Sequence, residues 1–266
     1  MSLIVDCDPA LGLPMSDVDD ALALWALLAR GIEIEAITTV FGNSTLPRVH
    51  AVATDLGARW SIRVFRGASR PGDVDTPAVE RLLAHRGDVL AIGPQTNIAA
   101  ALSRGASWSR LVLLGGTDRR LVNLRPLHTT ELNFALDEAA AAAALAGCTD
   151  LVPMEPCRAV LFRAAHFRVL PPWMEPLCQG WLRLGPLLNG HLGVVPWDVV
   201  AALYYAGVDG FIVEPRGVAL ASGPLRRGYV RYHPGTVRVV TGVQPASFYA
   251  AWTALGAATP AAVPAP

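Results

Sequence analysis

The chain has no lysine; all 22 of its basic residues are arginine. Any mechanism that depends on a lysine is therefore closed to it. Charge of either sign is scarce, at 17% of residues against the usual quarter, and the net charge is zero. With the arginines scattered, nothing invites nucleic acid or an anionic membrane. No apolar run reaches eighteen residues, and the opening MSLIVD lacks the charged and apolar regions of a signal peptide. Cys7, Cys148, Cys157 and Cys178 form no CxxC pair. Walker-type, GxSxG and GxGxxG motifs are missing as well. The expectation is a cytoplasmic protein with reduced, buried thiols and neither a membrane nor a nucleic-acid partner.

What is present is apolar. Hydrophobic residues make up 52% of 266, enough for a sizeable core. Because so few charges remain to cover the surface, another subunit is expected to cover part of it, as a homodimer or homotetramer. Short apolar runs at Leu3–Cys7, Glu33–Val40, Arg63–Phe65, Val89–Ile92, Leu111–Leu114 and Leu151–Met154 alternate with helical patterns. Those helices fall at Asp19–Ala29, Leu46–Ala58, Thr76–His85, Thr96–Ser103 and Asp137–Ala146. Such alternation predicts one α/β domain over residues 1–256, with a mostly parallel, doubly wound sheet. Residues 156–196 are rich in proline and aromatics and read as irregular or short-helical. After a helix at Trp197–Tyr205, the pieces Phe211–Ala221, Gly228–Tyr232 and Thr236–Val240 read as a small β meander. A last helix near Pro245–Leu255 precedes an Ala/Pro tail, 257–266, expected to be disordered.

The chemistry concentrates in LIVDCDPALGLPMSDVDDALAL, residues 3–24. Five of the chain's 22 acids, Asp6, Asp8, Asp17, Asp19 and Asp20, lie within fifteen residues, and no basic residue precedes Arg30. Carboxylates crowded without a countercharge are unfavourable, so the segment calls for a cation. Asp17 alone reads as a cap for the helix that follows. Asp6 and Asp8 follow a strand and Asp19 and Asp20 face the same loop; together they make an all-oxygen site suited to Ca²⁺ or Mg²⁺. In a parallel sheet, ligands bind beyond the carboxyl ends of the strands, where Asp6, Asp8, the Thr39–Asn43 turn and Gly93-Pro94 fall.

These residues resemble the inosine-uridine nucleoside hydrolase family. Asp6-Cys7-Asp8-Pro9 with Asp19-Asp20-Ala21-Leu22-Ala23-Leu24 is similar to its DxDPGxDDAxAL signature. In order there follow Ile37–Asn43 (ITTVFGN), Ile92–Ala99 (IGPQTNIA), Leu113–Gly116 (LLGG), Glu131–Phe134 (ELNF) with Asp137–Ala140, and Trp197-Asp198. The resemblance implies hydrolysis of the N-glycosidic bond of ribonucleosides on a nucleoside hydrolase-like fold. It also implies a Ca²⁺, in preference to Mg²⁺, ligated by Asp8, Asp20, Asp198 and the main-chain carbonyl of Ile92. A water and the ribose 2′ and 3′ hydroxyls would complete the shell, with Asp8 as the general base for that water. Asp19, Asn43, Glu131 and Asn133 would hold the ribose, Asn123 its 5′ hydroxyl, and Asp6 would orient Asp8 or Asn43 from behind. Trp197 stands where purine-specific members have a stacking tryptophan and others a histidine, which implies purine nucleosides.

The chain also departs from the family pattern. Ten residues separate Asp8 from Asp19, seven more than in the signature, and the metal geometry requires this insert to bulge outward. The segment that usually covers the base is shortened between Arg70 and Leu90, leaving 163–191 to supply any lid. Arg125 beside Asn123 would suit a 5′-modified substrate. His50 and His85 read as solvated, and His128, His166, His191 and His233 are the candidates for a leaving-group acid. Two other classes stay open: a non-catalytic or altered-substrate binder of ribosyl compounds, and a DxD-type phosphatase, which the missing lysine disfavours.

Overall fold

The computed structural model describes residues 2–14, 16–119, 131–189, 193–221, 223 and 226–257. Eight strands form one sheet: β1 (Leu3–Cys7), β2 (Ile34–Thr39), β3 (Arg63–Arg66), β4 (Asp88–Ala91), β5 (Arg110–Leu114), β6 (Asp150–Val152), β7 (Phe211–Leu220) and β8 (Val230–Val243). Their order is β3-β2-β1-β4-β5-β6-β8-β7, parallel throughout except for the β7–β8 pair. The chain winds outward from β1 to β3 and then returns to β4 on the other side of β1. That reversal makes the β1/β4 boundary the switch point, where a crevice opens past the strand ends.

Helices cover both faces, and strand alternation sorts the side chains between them. Leu3, Val5 and Cys7 of β1 and Val112 and Leu114 of β5 enter one core, with α1 (Asp19–Ala29), α2 (Leu46–Trp60), α8 (Trp197–Tyr205) and α9 (Pro245–Leu255). Ile4, Leu111 and Leu113 enter the other, with α3 (Pro77–Ala84), α4 (Thr96–Ser103) and α5 (Glu138–Gly147). Both layers are continuous apolar packing, so the strand ends that carry the acids are held from two sides. Among the described residues no helix is long and apolar enough to cross a membrane.

Two expectations are corrected at the C-terminal half. The meander is a single hairpin: the pieces Gly228–Tyr232 and Thr236–Val240 join in one strand, β8, and the gap between them is an irregularity where pairing jumps from Arg216–Val237 to Gly217–His233. The segment read as irregular or short-helical does hold short helical pieces, α6 (Met154–Cys157) and a 3-10 turn (Ala164–Val169), but also a fifteen-residue helix α7 (Glu175–Asn189). Pro176 stands in the first turn of α7, where the missing N–H costs nothing, and Cys178, Trp181 and Leu182 have the i, i+3, i+4 spacing of a buried face. His85 is also not solvated. It is 3% exposed, lies 3.0 Å from the Asp88 carbonyl through Nε2 and 3.2 Å from Glu35 through Nδ1. The tail beyond Ala257 lies outside the described residues.

Candidate active site

Parallel pairing sets the loops after β1, β2, β4 and β5 along one edge, because Cys7 registers with Thr39, Asp6 with Ala91 and Ala91 with Leu113. A cleft of about 610 Å³, counting its open mouth, lies there, within the size range of small-molecule sites. It is lined by Asp8, Asp17, Asp19, Asp20, Asn43, Ile92, Leu114, Glu131, Leu132, Asn133, Met154, Trp197 and Asp198. Among the described residues no arginine or histidine lines it.

Asp19 and Asp20 begin α1, and Asp198 lies in the first turn of α8. These helix starts are where the backbone dipole favours negative charge. α1 and α8 pack against each other in the same core, bringing the two starts together, and Asp198 N donates to Asp19 Oδ2 at 3.3 Å. Asp8 follows β1; its backbone N donates to Asp20 Oδ1 at 3.0 Å, and its Oδ2 accepts from Asn43 N at 2.5 Å. Two glycines make room for this carboxylate. A Cβ on Gly42 would collide with Asp8 Oδ2, and one on Gly93 would stand 2.8 Å from Oδ1.

Burial, followed by mutual repulsion, pushes the carboxyls of Asp8, Asp19, Asp20 and Asp198 well above the ordinary carboxylate range. Asp17 rises to about 6, with burial as its main cause. Three of these groups, Asp17, Asp19 and Asp20, each offer a carboxylate oxygen within 4.8 Å of the others. Hard oxygens converging with no cationic side chain among the described lining residues are the donor set of a divalent cation.

On the far wall, Asn133 Nδ2 donates to the Ile92 carbonyl at 2.8 Å and to the Leu114 carbonyl at 3.2 Å. Glu131 turns Oε1 towards the backbone N–H groups of Phe134 and Ala135, while its buried Oε2 has no hydrogen-bond partner among the described residues. Burial raises this carboxyl to about 8 against those hydrogen bonds. An orphan oxygen in a polar cleft is a position for a substrate donor or acceptor.

The cleft thus gathers Asp8, Asp19, Asp20, Asn43, Ile92, Glu131, Asn133, Trp197 and Asp198 from the predicted site. Asn123, Arg125, His128 and His191 lie outside the described residues. His166 is stacked between Phe162 and Tyr249, and His233 is exposed in β8, so neither reaches the cleft. Asp6 is corrected. Strand parity turns it to the face of Ile4 and α4, where Oδ1 accepts from Thr38 Oγ1 at 2.6 Å and Asn97 Nδ2 at 2.8 Å. Those contacts tie it to β2 and α4 rather than to Asp8 or Asn43. Asp17 is corrected too: α1 has Val18 at its N-cap and no side-chain cap, and Asp17 Oδ1 instead accepts from Asn43 Nδ2 at 2.5 Å. The insert bearing Asp17 does not simply bulge outward, since Ala10, Leu11 and Val18 are buried in the core. Leu132 and Met154 were missed; Met154 opens α6, with only Pro153 between it and the end of β6, at the same sheet edge as the acids.

Cleft and sheet together define the class, an α/β protein with an oxygen-lined ligand site at its switch point. The sequence pattern of the family described as inosine-uridine preferring nucleoside hydrolase matches residues 3–250, and the chain belongs to that family. It is 28% identical over 181 residues to uridine nucleosidase 1 of Arabidopsis thaliana, covering 52% of this chain and 51% of that protein. The chain thus spans about half the length of the curated relatives it matches. Its backbone matches the plant nucleoside hydrolase PpNRh1 with a TM-score of 0.81 at 17% identity, covering 96% of this chain and 98% of that one. The purine-preferring ribonucleoside hydrolase from Gardnerella vaginalis matches at 0.80 and 19%, covering 96% and 99%. At these identities the structural likeness establishes the fold.

Proposed function

We propose that the protein hydrolyses the N-glycosidic bond of ribonucleosides, purine ones in preference, to free base and ribose with the help of a divalent cation. The observation that carries this reading is the cleft itself: six carboxylates, no arginine or histidine among the described lining residues, and a partly exposed tryptophan beside them. Asp8, Asp20, Asp198 and the Ile92 carbonyl would hold the cation, Ca²⁺ in preference to Mg²⁺; the carbonyl keeps a lone pair beyond the one Asn133 takes. When bound, such an ion acidifies water and draws hydroxyl oxygens towards itself.

The chain's own groups account for the rest. Asp8 is oriented through Oδ2 by Asn43 N, so Oδ1 is the oxygen that takes the proton of the attacking water. Asp19, Asn43, Asn133 and Glu131 hold the ribosyl hydroxyls, with Asn123 at the 5′ end. Positive charge growing on the sugar as the bond breaks is met by the ring of carboxylates. Trp197 stacks on the base, and the open mouth lets the leaving base take its proton from solvent. The sparse surface charge supports a homodimer or homotetramer.

Comparing kcat/KM for inosine and uridine tests the base preference. Inosine is expected to lead, and Trp197→Ala to cut inosine turnover by about 10- to 100-fold, the worth of stacking one base on an aromatic ring, while sparing uridine. Equal losses on both, or a lead for uridine, would favour a pyrimidine reading, for which the plant relative's name speaks.

A further inference from the structure

We propose that the inserted loop between β1 and α1 is a positioning device for Asn43, fixing its side chain so that the oxygen, and not the nitrogen, faces the substrate. The inference rests on the ribosyl occupant proposed above; what it adds is a role for Ser16 and Asp17.

Asn43 is gripped at three of its own polar atoms. Its N donates to Asp8 Oδ2 at 2.5 Å, its carbonyl accepts from Ser16 Oγ at 3.2 Å, and its Nδ2 donates to Asp17 Oδ1 at 2.5 Å and to Asp20 Oδ2 at 3.0 Å. Two of these four partners, Ser16 and Asp17, belong to the insert. An amide nitrogen carries two hydrogens, and with a cation bound and Asp17 and Asp20 ionised both are spent on carboxylate oxygens, which then only accept. The flipped amide would set its oxygen against those two oxygens, so the assignment follows from charge and not from atom labels. Oδ1 is then the one side-chain atom of Asn43 left for a ligand, and it can only accept. Asn43 therefore recognises a hydroxyl that donates.

Asp17 matters because Asp20 has other demands on it. Asp20 already receives Asp8 N at Oδ1 and is a proposed cation ligand, so its hold on Asn43 is shared. Asp17 supplies a second acceptor. The loop that carries it is anchored rather than loose: Ala10, Leu11 and Val18 are buried, and Leu13 N bonds the Ala10 carbonyl at 2.9 Å. Both of the insert's contacts to Asn43, from Ser16 and from Asp17, come from residues in the ten-residue stretch between Asp8 and Asp19.

The test is steady-state kinetics at saturating Ca²⁺ on inosine, 2′-deoxyinosine and 3′-deoxyinosine, with Asp17→Ala, Asp17→Asn, Asn43→Ala and the Asp17→Ala/Asn43→Ala double variant. Asp17→Ala is expected to lose about tenfold or more in kcat/KM for inosine, the scale of one charge-assisted hydrogen bond. Asp17→Asn, whose amide oxygen still accepts, should stay within about threefold of wild type. Asp17→Ala should cost nothing further in the Asn43→Ala background, and it should shrink the penalty for the missing hydroxyl. Wild-type kinetics in Asp17→Ala, additivity with Asn43→Ala, or equal damage from Asp17→Asn and Asp17→Ala would overturn the proposal, the last by showing that charge alone matters. Should Asp17→Ala not fold, Ser16→Ala stands in, and unchanged kinetics there would overturn it. If the wild type turns over no nucleoside, the hydrolase reading fails separately. The clamp is then judged by calorimetric binding of D-ribose with Ca²⁺: wild type and Asp17→Asn binding more tightly than Asp17→Ala supports it, and equal or absent binding overturns it.

Discussion

Asp8→Asn is expected to abolish nucleoside hydrolysis while making the cation-free protein more stable. The amide can still accept from Asn43 N, so the local geometry is kept, but it cannot take a proton from water. Loss of a general base costs roughly 10² to 10⁴ in kcat. The stability gain comes from the same carboxylate. Asp8 is 4% exposed, and burial together with Asp17, Asp19 and Asp6 holds its proton far above the usual range. Replacing it by a neutral isostere removes that penalty, worth about 2–4 °C in melting temperature for each kcal/mol in a chain of this size. Calorimetry with chelator and with Ca²⁺ checks both halves: the variant should melt above wild type with chelator and lose most of the calcium stabilisation. A variant that is less stable under chelation, or that keeps its activity, contradicts the role given to Asp8.

The second large effect is a pH dependence that the cation reverses. Besides Asp8, Asp19, Asp20 and Asp198, which burial raises well above the ordinary range, Asp17 is raised to about 6, Asp6 to about 7 and Glu131 to about 8 in the folded chain. Below the unfolded value near 4 both states are protonated and nothing is lost. Above it the unfolded chain ionises while the folded one retains the proton, so stability falls with rising pH until each folded value is passed. Asp150 runs the other way: with Arg110 and Arg238 on it, its carboxyl lies at about 2, so the stability it contributes is lost only in acid. Between pH 5 and 8 the raised groups therefore dominate, and chelated protein should melt lower at pH 8 than at pH 5.5. Ca²⁺ at about 100 times its Kd should add about 2.7 kcal/mol and weaken or invert that order at pH 8. A melting temperature indifferent to chelator, or rising across this range without cation, would count against a buried acidic cation site.

Much of this was legible in residue order. β1, α1 and α8 stand where their apolar patterns put them because each is nearly all buried and its pattern is uninterrupted, and α4 and α9, buried along one face, also stand where their patterns put them. Where local signals misled, a tertiary partner had overruled them. The gap between Tyr232 and Thr236 reads as a break because a bulge is invisible without the opposing strand. His85 reads as solvated because Glu35, which receives it, comes from β2. Asp17 reads as a cap by the local rule for helix starts, yet Asn43, 26 residues on, takes its oxygen. Asp6 sits one residue away from the face that would have aimed it at the cleft, and strand parity decides the matter.

The most direct test of the central claim is release of reducing sugar from inosine, adenosine, guanosine, uridine and cytidine by the purified chain, with Ca²⁺ or with chelator. The expected result is ribose and free base in equal amounts, from the purine nucleosides first, stopped by chelator and restored by Ca²⁺. No sugar from any of the five at saturating calcium, with the protein folded, would contradict it.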